Sequence, residues 1–259
     1  MSAGVVRLEH DGPLAVLTLA APPLNLFDRA LIDELADHVR ALAADPPRGL
    51  LICAEGRAVS GVVDVHLFDG LTAEQGAALW TELLELVHVV EELPLPTVFA
   101  AHALCLTAAF ELSLACDLLL AAESARFGLV ETVVGLTPAM GGTQRLAERA
   151  GPARAREFVM TGELYDAATL ERWGVVNRVL PDAGFAEAAH AFALGLAQGP
   201  TRAHAATKAI VRAQIGGGAR AADAVVPEVA GGLFATEDLQ NAVRSFLAEG
   251  PGKARYEGR

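Results

Sequence analysis

The chain has 259 residues, enough for one large domain or one domain with a helical appendage. Apolar residues make up 53% and charged ones only 20%, which provides a sizeable core and argues against a disordered chain. The net charge of −12 opposes nucleic-acid binding, so a polyanionic ligand would need a local basic patch.

The first residues, MSAGVVRLEHDG, carry no charged segment ahead of a long apolar one, and no signal peptide is expected there. Residues 5–8 and 14–19 read as strands around Asp11-Gly12-Pro13. Leu31, Leu35, Val39 and Leu42 recur at helical spacing and predict an amphipathic helix over 28–44. A short strand at 50–54 and a loop from 55 to about 70 follow. Thr72 and Gln75 form a capping box for a helix carrying Leu79, Leu83, Val87 and Val90, which Pro94 and Pro96 stop. Residues 97–101 predict a buried strand, 107–116 a helix and 118–121 another strand. Strands alternating with such helices predict βαβ units and a mainly parallel sheet. His102, Glu111 and Asp117 interrupt the longest apolar stretch, so no membrane span is expected and a soluble cytoplasmic protein is the default. Beyond Gly141 the pattern is mostly helical. Gly174 reads as a helix end before a strand at 175–179, and Gly216-Gly217-Gly218 as a helix break. A composition shift near Thr201 divides the chain into a core over 1–200 and a helical subdomain over 201–259.

Several chemistries lack their motif. There is no GxGxxG after the first strand, no P-loop lysine, no HExxH or close histidine pair, and no GxSxG. The three cysteines, Cys53, Cys105 and Cys116, form no CxxC and read as core residues in a reducing compartment. Cys105 is the one candidate for a reactive thiol. Two glutamates stand out instead. Glu111 lies in AAFELSLA and Glu131 in FGLVETVV, each with apolar flanks. A carboxylate in such surroundings is costly unless paired or protonated, and a raised pKa suits general acid–base work near neutral pH. A solvated face, or pairing with Arg126 or Arg145, is the competing explanation.

The stretch Leu114-Ala115-Cys116-Asp117-Leu118, with Ala122-Glu123-Ser124-Ala125-Arg126-Phe127-Gly128, resembles the ACD…ARFG segment of the enoyl-CoA hydratase/isomerase (crotonase) family. Glu131, Gly135-Leu136-Thr137-Pro138 and Gly141-Gly142-Thr143-Gln144-Arg145-Leu146 follow at that family's spacing. Thr161-Gly162-Glu163, Gly174-Val175-Val176-Asn177-Arg178-Val179 and Pro23-Leu24-Asn25-Leu26 add further matches. The resemblance implies an α/β crotonase (ClpP-like) fold of stacked ββα turns with a helical C-terminal trimerisation region. It implies an acyl-CoA substrate with no separate cofactor, a homotrimer or homohexamer, and an oxyanion hole formed by the N–H groups of Val63 and Ala108. It places the hydratase carboxylates on Glu111, as the base towards water, and on Glu131, as the acid towards C2.

Some positions depart from the family pattern. The first oxyanion loop reads Gly61-Val62-Val63-Asp64, where a glycine is usual at 62 and a β-branched residue would be strained at positive φ. The second reads His102-Ala103…Thr107-Ala108-Ala109 in place of a glycine-rich run. Val130 stands where proline is usual. Besides hydration, the resemblance leaves room for an isomerase, a decarboxylase or a non-catalytic acyl-CoA-binding scaffold. Lys208, Arg244, Lys253 and Arg255 are the candidate cations for CoA phosphates.

Overall fold

A computed structural model describes residues 4–259; residues 1–3, part of the stretch read for a signal peptide, lie outside it. Strands β1 (Val6–Asp11) and β2 (Leu14–Leu19) pair antiparallel around Gly12 and Pro13, and Asp11 still faces Leu14 in the ladder. Helix α1 (Arg29–Ala44) starts where the Asp28 side chain accepts the Leu31 N–H, and buries the expected Leu31, Leu35, Val39 and Leu42 stripe.

Three similar turns follow, each laying down two strands and returning through a helix. The first contains β3 (Gly49–Ala54), β4 (Ala58–Ser60) and α2 (Ala73–Glu92). The second contains β5 (Thr97–Ala101), β6 (Leu104–Leu106) and α3 (Ala108–Ala115). The third contains β7 (Leu118–Ala122), β8 (Arg126–Gly128) and α4 (Gly142–Ala150). Helix α5 (Pro152–Thr161), β9 (Tyr165–Asp166), α6 (Ala167–Arg172), β10 (Arg178–Leu180) and α7 (Phe185–Ala197) complete the core.

The strands form two sheets, in the orders β1-β2-β3-β5-β7-β10 and β4-β6-β8-β9. From β2 to β10 the larger sheet is parallel, with Leu51 opposite Val98 and Phe99 opposite Leu119. Every residue of β5 is buried, because layers on both faces of a parallel sheet need near-continuous apolar strands.

The predicted loop at 55–70 in fact contains β4 and a one-turn 3-10 helix, Val65–Phe68. The strand expected at 175–179 lies later. Gly174 ends α6 at φ 79, and the Val175 and Val176 N–H groups both close on Leu170 O, so the ladder starts only at Arg178.

From Thr201 the chain is helical, in α8 (Thr201–Gly231) and α9 (Glu237–Glu249), joined by a 3-10 turn and followed by a short tail. Gly218 breaks α8 at φ 75, ψ −178, inside the expected glycine run. Lys208 Nζ anchors α8 to the core, 2.9 Å from Asp117 and 3.1 Å from Leu95 O. Among the described residues no helix is long and apolar enough to cross a membrane.

Candidate active site

All eight residues of α3 are buried, Glu111 among them at 3% exposure. The helix lies inside the molecule, so its one acidic side chain must find partners there. Glu111 Oε1 accepts the N–H groups of Met140 and Gly142, each at 2.9 Å. Gly142 opens α4, where backbone N–H groups have no intrahelical acceptor and the helix dipole favours negative charge, and Met140 lies two residues before it. A Cβ at Gly142 would stand 2.5 Å from Glu111 Cγ and 2.9 Å from Oε1, so only glycine admits the carboxylate. Neither arginine considered as a partner takes that role. Arg145 pairs with Glu91 at 2.6 Å, and Arg126 reaches only the carbonyl of Ala125.

Glu131 opens a 3-10 turn, Glu131–Val134, directly after β8. Its Oε2 is shielded and has no hydrogen-bond partner among the described residues. Glu111 and Glu131 line one cavity of about 240 Å³. Burial pushes both carboxyls up, Glu111 to about 8 and Glu131 to about 7. The nearby charge of Glu131 raises Glu111 further, while the two backbone donors and Arg145 oppose the rise. Two interacting carboxyls titrate as a pair.

Val63 and Ala108 line the same cavity. Val63 forms a parallel bridge with Phe27, which uses the Val62 carbonyl (3.2 Å) and the Asp64 N–H (3.1 Å) and leaves the Val63 N–H without an acceptor among the described residues. Ala108 is the first residue of α3, and its N–H likewise has none. Asn25 braces the approach to the first loop. Fully buried at φ 46, it accepts the Ala21 N–H and donates to the carbonyls of Glu55 and Ala58.

The strain expected at Val62 is not there, because Val62 does not adopt positive φ. It falls instead on Thr107, at φ 46 and ψ −118 immediately before α3, a region that suits glycine and penalises a β-branched residue. The Thr107 hydroxyl is buried without a partner among the described residues.

Other candidates lie elsewhere. His102 Nε2 is 3.0 Å from Gly56 O. Cys105 is fully buried, and desolvation drives its thiol far above the thiolate range, so it is inert. Lys208 is held by Asp117, Arg244 bonds Asn241, and Lys253 and Arg255 are exposed near the C-terminus; none of these four lines the cavity. Sequence reasoning did not find the apolar wall made by Val65, Phe68, Trp80 and Leu83, nor the Met140 and Gly142 donors. Apolar wall residues look like any core residue in sequence. The donors are backbone groups, and their only trace is the pair Gly141-Gly142.

The model of the family described as enoyl-CoA hydratase/isomerase matches residues 9–258. The chain belongs to the enoyl-CoA hydratase/isomerase family. Within that family it is 31% identical over 258 residues to a "Probable enoyl-CoA hydratase" of Rhizobium meliloti, covering 96% of this chain and 97% of that one. It is 32% identical over 181 residues to the crotonyl-CoA hydratase of Syntrophomonas wolfei, covering 68% of each chain. The fold matches the crystal structure of an enoyl-CoA hydratase from Bacillus anthracis with a TM-score of 0.91 and 26% identity, covering 98% of this chain and all of that one. The stacked turns and two-sheet core are therefore those of the enoyl-CoA hydratase/isomerase fold.

Proposed function

We propose that the protein is an enoyl-CoA hydratase, adding water across the C2–C3 double bond of an enoyl-CoA thioester. The observation that carries this reading is the pair of raised carboxyls, Glu111 and Glu131, in one apolar cavity beside two backbone N–H groups without acceptors among the described residues. A family enzyme that only moves a double bond needs one proton carrier. Retention of two favours hydration over isomerisation.

The thioester oxygen would sit between the N–H groups of Val63 and Ala108, with the positive end of α3 behind it. Negative charge builds on that oxygen as water attacks C3, and each donor aimed at it contributes about 10²–10³ in rate. Glu111, its Oε1 held by two backbone donors, takes the proton from water. Glu131 delivers a proton to C2. In the empty site the proton favours Glu111, at about 8 against about 7 for Glu131, and substrate binding sets up the working division. It expels water from half-buried Glu131 and so raises its proton affinity, whereas Glu111 is already buried and keeps its donors. Each turnover passes one proton to Glu111 and takes one from Glu131, and transfer between them restores the pair.

The test is loss of the conjugated absorbance of a trans-2-enoyl-CoA. Glu111→Gln and Glu131→Gln should each lower kcat by about 10²–10⁴ with little change in acyl-CoA affinity. Normal turnover by Glu131→Gln would overturn its role as acid. Binding of acyl-CoA without turnover by the unaltered protein would leave a scaffold. The kcat/KM profile should be bell-shaped, with limbs set by the pair at about 7 and about 8.

The family resemblance and the apolar surface of the C-terminal helices support a homotrimer or homohexamer, and the three unpaired cysteines fit a cytoplasmic setting. CoA would serve as part of the substrate, with no further cofactor.

A further inference from the structure

The cavity that holds the two glutamates has a one-sided chemistry. Its walls are Phe27, Ile32, Phe68, Trp80, Leu83 and other apolar side chains, interrupted only by the glutamates and two threonines. Among its lining residues there is no lysine, arginine or histidine. Phe68 and Trp80 pack against each other on one wall, ring centroids 5.5 Å apart, with Phe68 from the Val65–Phe68 turn and Trp80 from α2. Val65 and Val133, 51% and 83% exposed, form an apolar rim.

These features constrain the group attached to C3. A carboxylate or other anion placed here would be desolvated with no cation to pair it, beside two groups that are themselves negative when ionised. An apolar chain instead gains transfer free energy from every carbon it buries. A dry cavity of about 150 Å³ accommodates benzene, so about 240 Å³ has room for roughly ten apolar carbons. A four-carbon enoyl group would leave more than half of it unfilled.

We infer that the acyl site selects neutral, wholly apolar enoyl groups of about eight to ten carbons, straight or aryl-bearing, and rejects carboxylated ones, with Phe68 and Trp80 setting the size limit. The inference rests on the hydratase reading of the same site.

The experiment compares kcat/KM of the unaltered protein for crotonyl-, octenoyl-, decenoyl-, hexadecenoyl-, cinnamoyl- and glutaconyl-CoA, together with calorimetric affinity for butyryl- and octanoyl-CoA. Each methylene should raise kcat/KM about threefold until the cavity is full, giving octenoyl-CoA an advantage of about fifty- to a hundredfold over crotonyl-CoA. Glutaconyl-CoA should fall more than about a hundredfold below crotonyl-CoA. Trp80→Ala, or Trp80→Leu if the larger truncation fails to fold, should move the optimum towards hexadecenoyl-CoA. Turnover of every enoyl-CoA with crotonyl-CoA or glutaconyl-CoA at least equal to octenoyl-CoA would overturn the inference and leave the hydratase reading intact. Absence of all turnover, with octanoyl-CoA still bound about fifty- to a hundredfold tighter than butyryl-CoA, would remove the hydratase and keep the apolar selectivity. Equal affinity for those two saturated ligands would remove the selectivity as well.

Discussion

Thr107 is the residue where the backbone and the side chain disagree most. A β-branched side chain at φ 46, ψ −118 costs about 1–3 kcal/mol, and its hydroxyl is buried without a partner among the described residues. Thr107→Gly should therefore raise the stability to denaturant by about 1–2 kcal/mol, read from the chemical unfolding midpoint; an unchanged or lower midpoint would show the strain to be absent. Glu111 provides a second measurement. Its carboxyl is at about 8 in the fold against an ordinary 4.5, so between those values the folded protein holds a proton that the unfolded chain has lost. The stability this contributes is complete below 4.5 and disappears as pH rises through about 8. Relative to Glu111→Gln, the unaltered protein should lose about 2–4 kcal/mol between pH 4.5 and 8.5. A constant difference across that range would contradict the raised pKa. Both glutamates were legible in the sequence, because an acid flanked by apolar residues is conspicuous. Their meeting in one cavity was implied by the family resemblance and not by periodicity, since residues 111 and 131 are brought together only by the return of the chain through β7 and β8. The location of the strain was also hidden. Val62 and Thr107 both replace an expected glycine, and only the three-dimensional path decides which of them is forced to positive φ.

At the level of elements, hydrophobic periodicity located the long helices and the buried strands. The Thr72–Gln75 capping box closes in both directions as its spacing implies. Strands β4, β6 and β8 escaped because three residues are too few to display a period of two, and their pairing comes from the sheet that receives them. These short strands matter, since they deliver Val63, Ala108 and Glu131 to the cavity. The anchoring of α8 was not visible either. Lys208 looked free to meet phosphate, yet it is paired with Asp117, whose Oδ2 also accepts the Thr97 N–H at 2.8 Å and hydroxyl at 2.9 Å. Asp117→Ala leaves three donors without their acceptor in a partly shielded place and should cost about 2–3 kcal/mol. Hydrogen exchange should accelerate in α8 first; uniform exchange with an unchanged midpoint would show that the anchor contributes nothing.

Across the whole molecule, the C-terminal helices are the least self-sufficient part. Helix α8 runs for 31 residues and buries only Thr201, Ala206 and Ala222, while Phe234, Phe246 and Leu247 are 72%, 60% and 80% exposed. Apolar surface of this kind is normally covered by a partner, in agreement with the proposed trimer or hexamer. Sedimentation should give a multiple of the 26.9 kDa chain, and Phe246→Glu with Leu247→Glu should shift it towards the single chain. A monomer before substitution would refute the assembly.

The proposed catalytic groups are contributed by three successive turns: Val63 follows β4, Ala108 and Glu111 lie on α3, and Glu131, Met140 and Gly142 follow β8. No contiguous fragment shorter than that span contains the full set. On the hydratase reading, turnover would double as a gauge of intactness across all three layers of the stack.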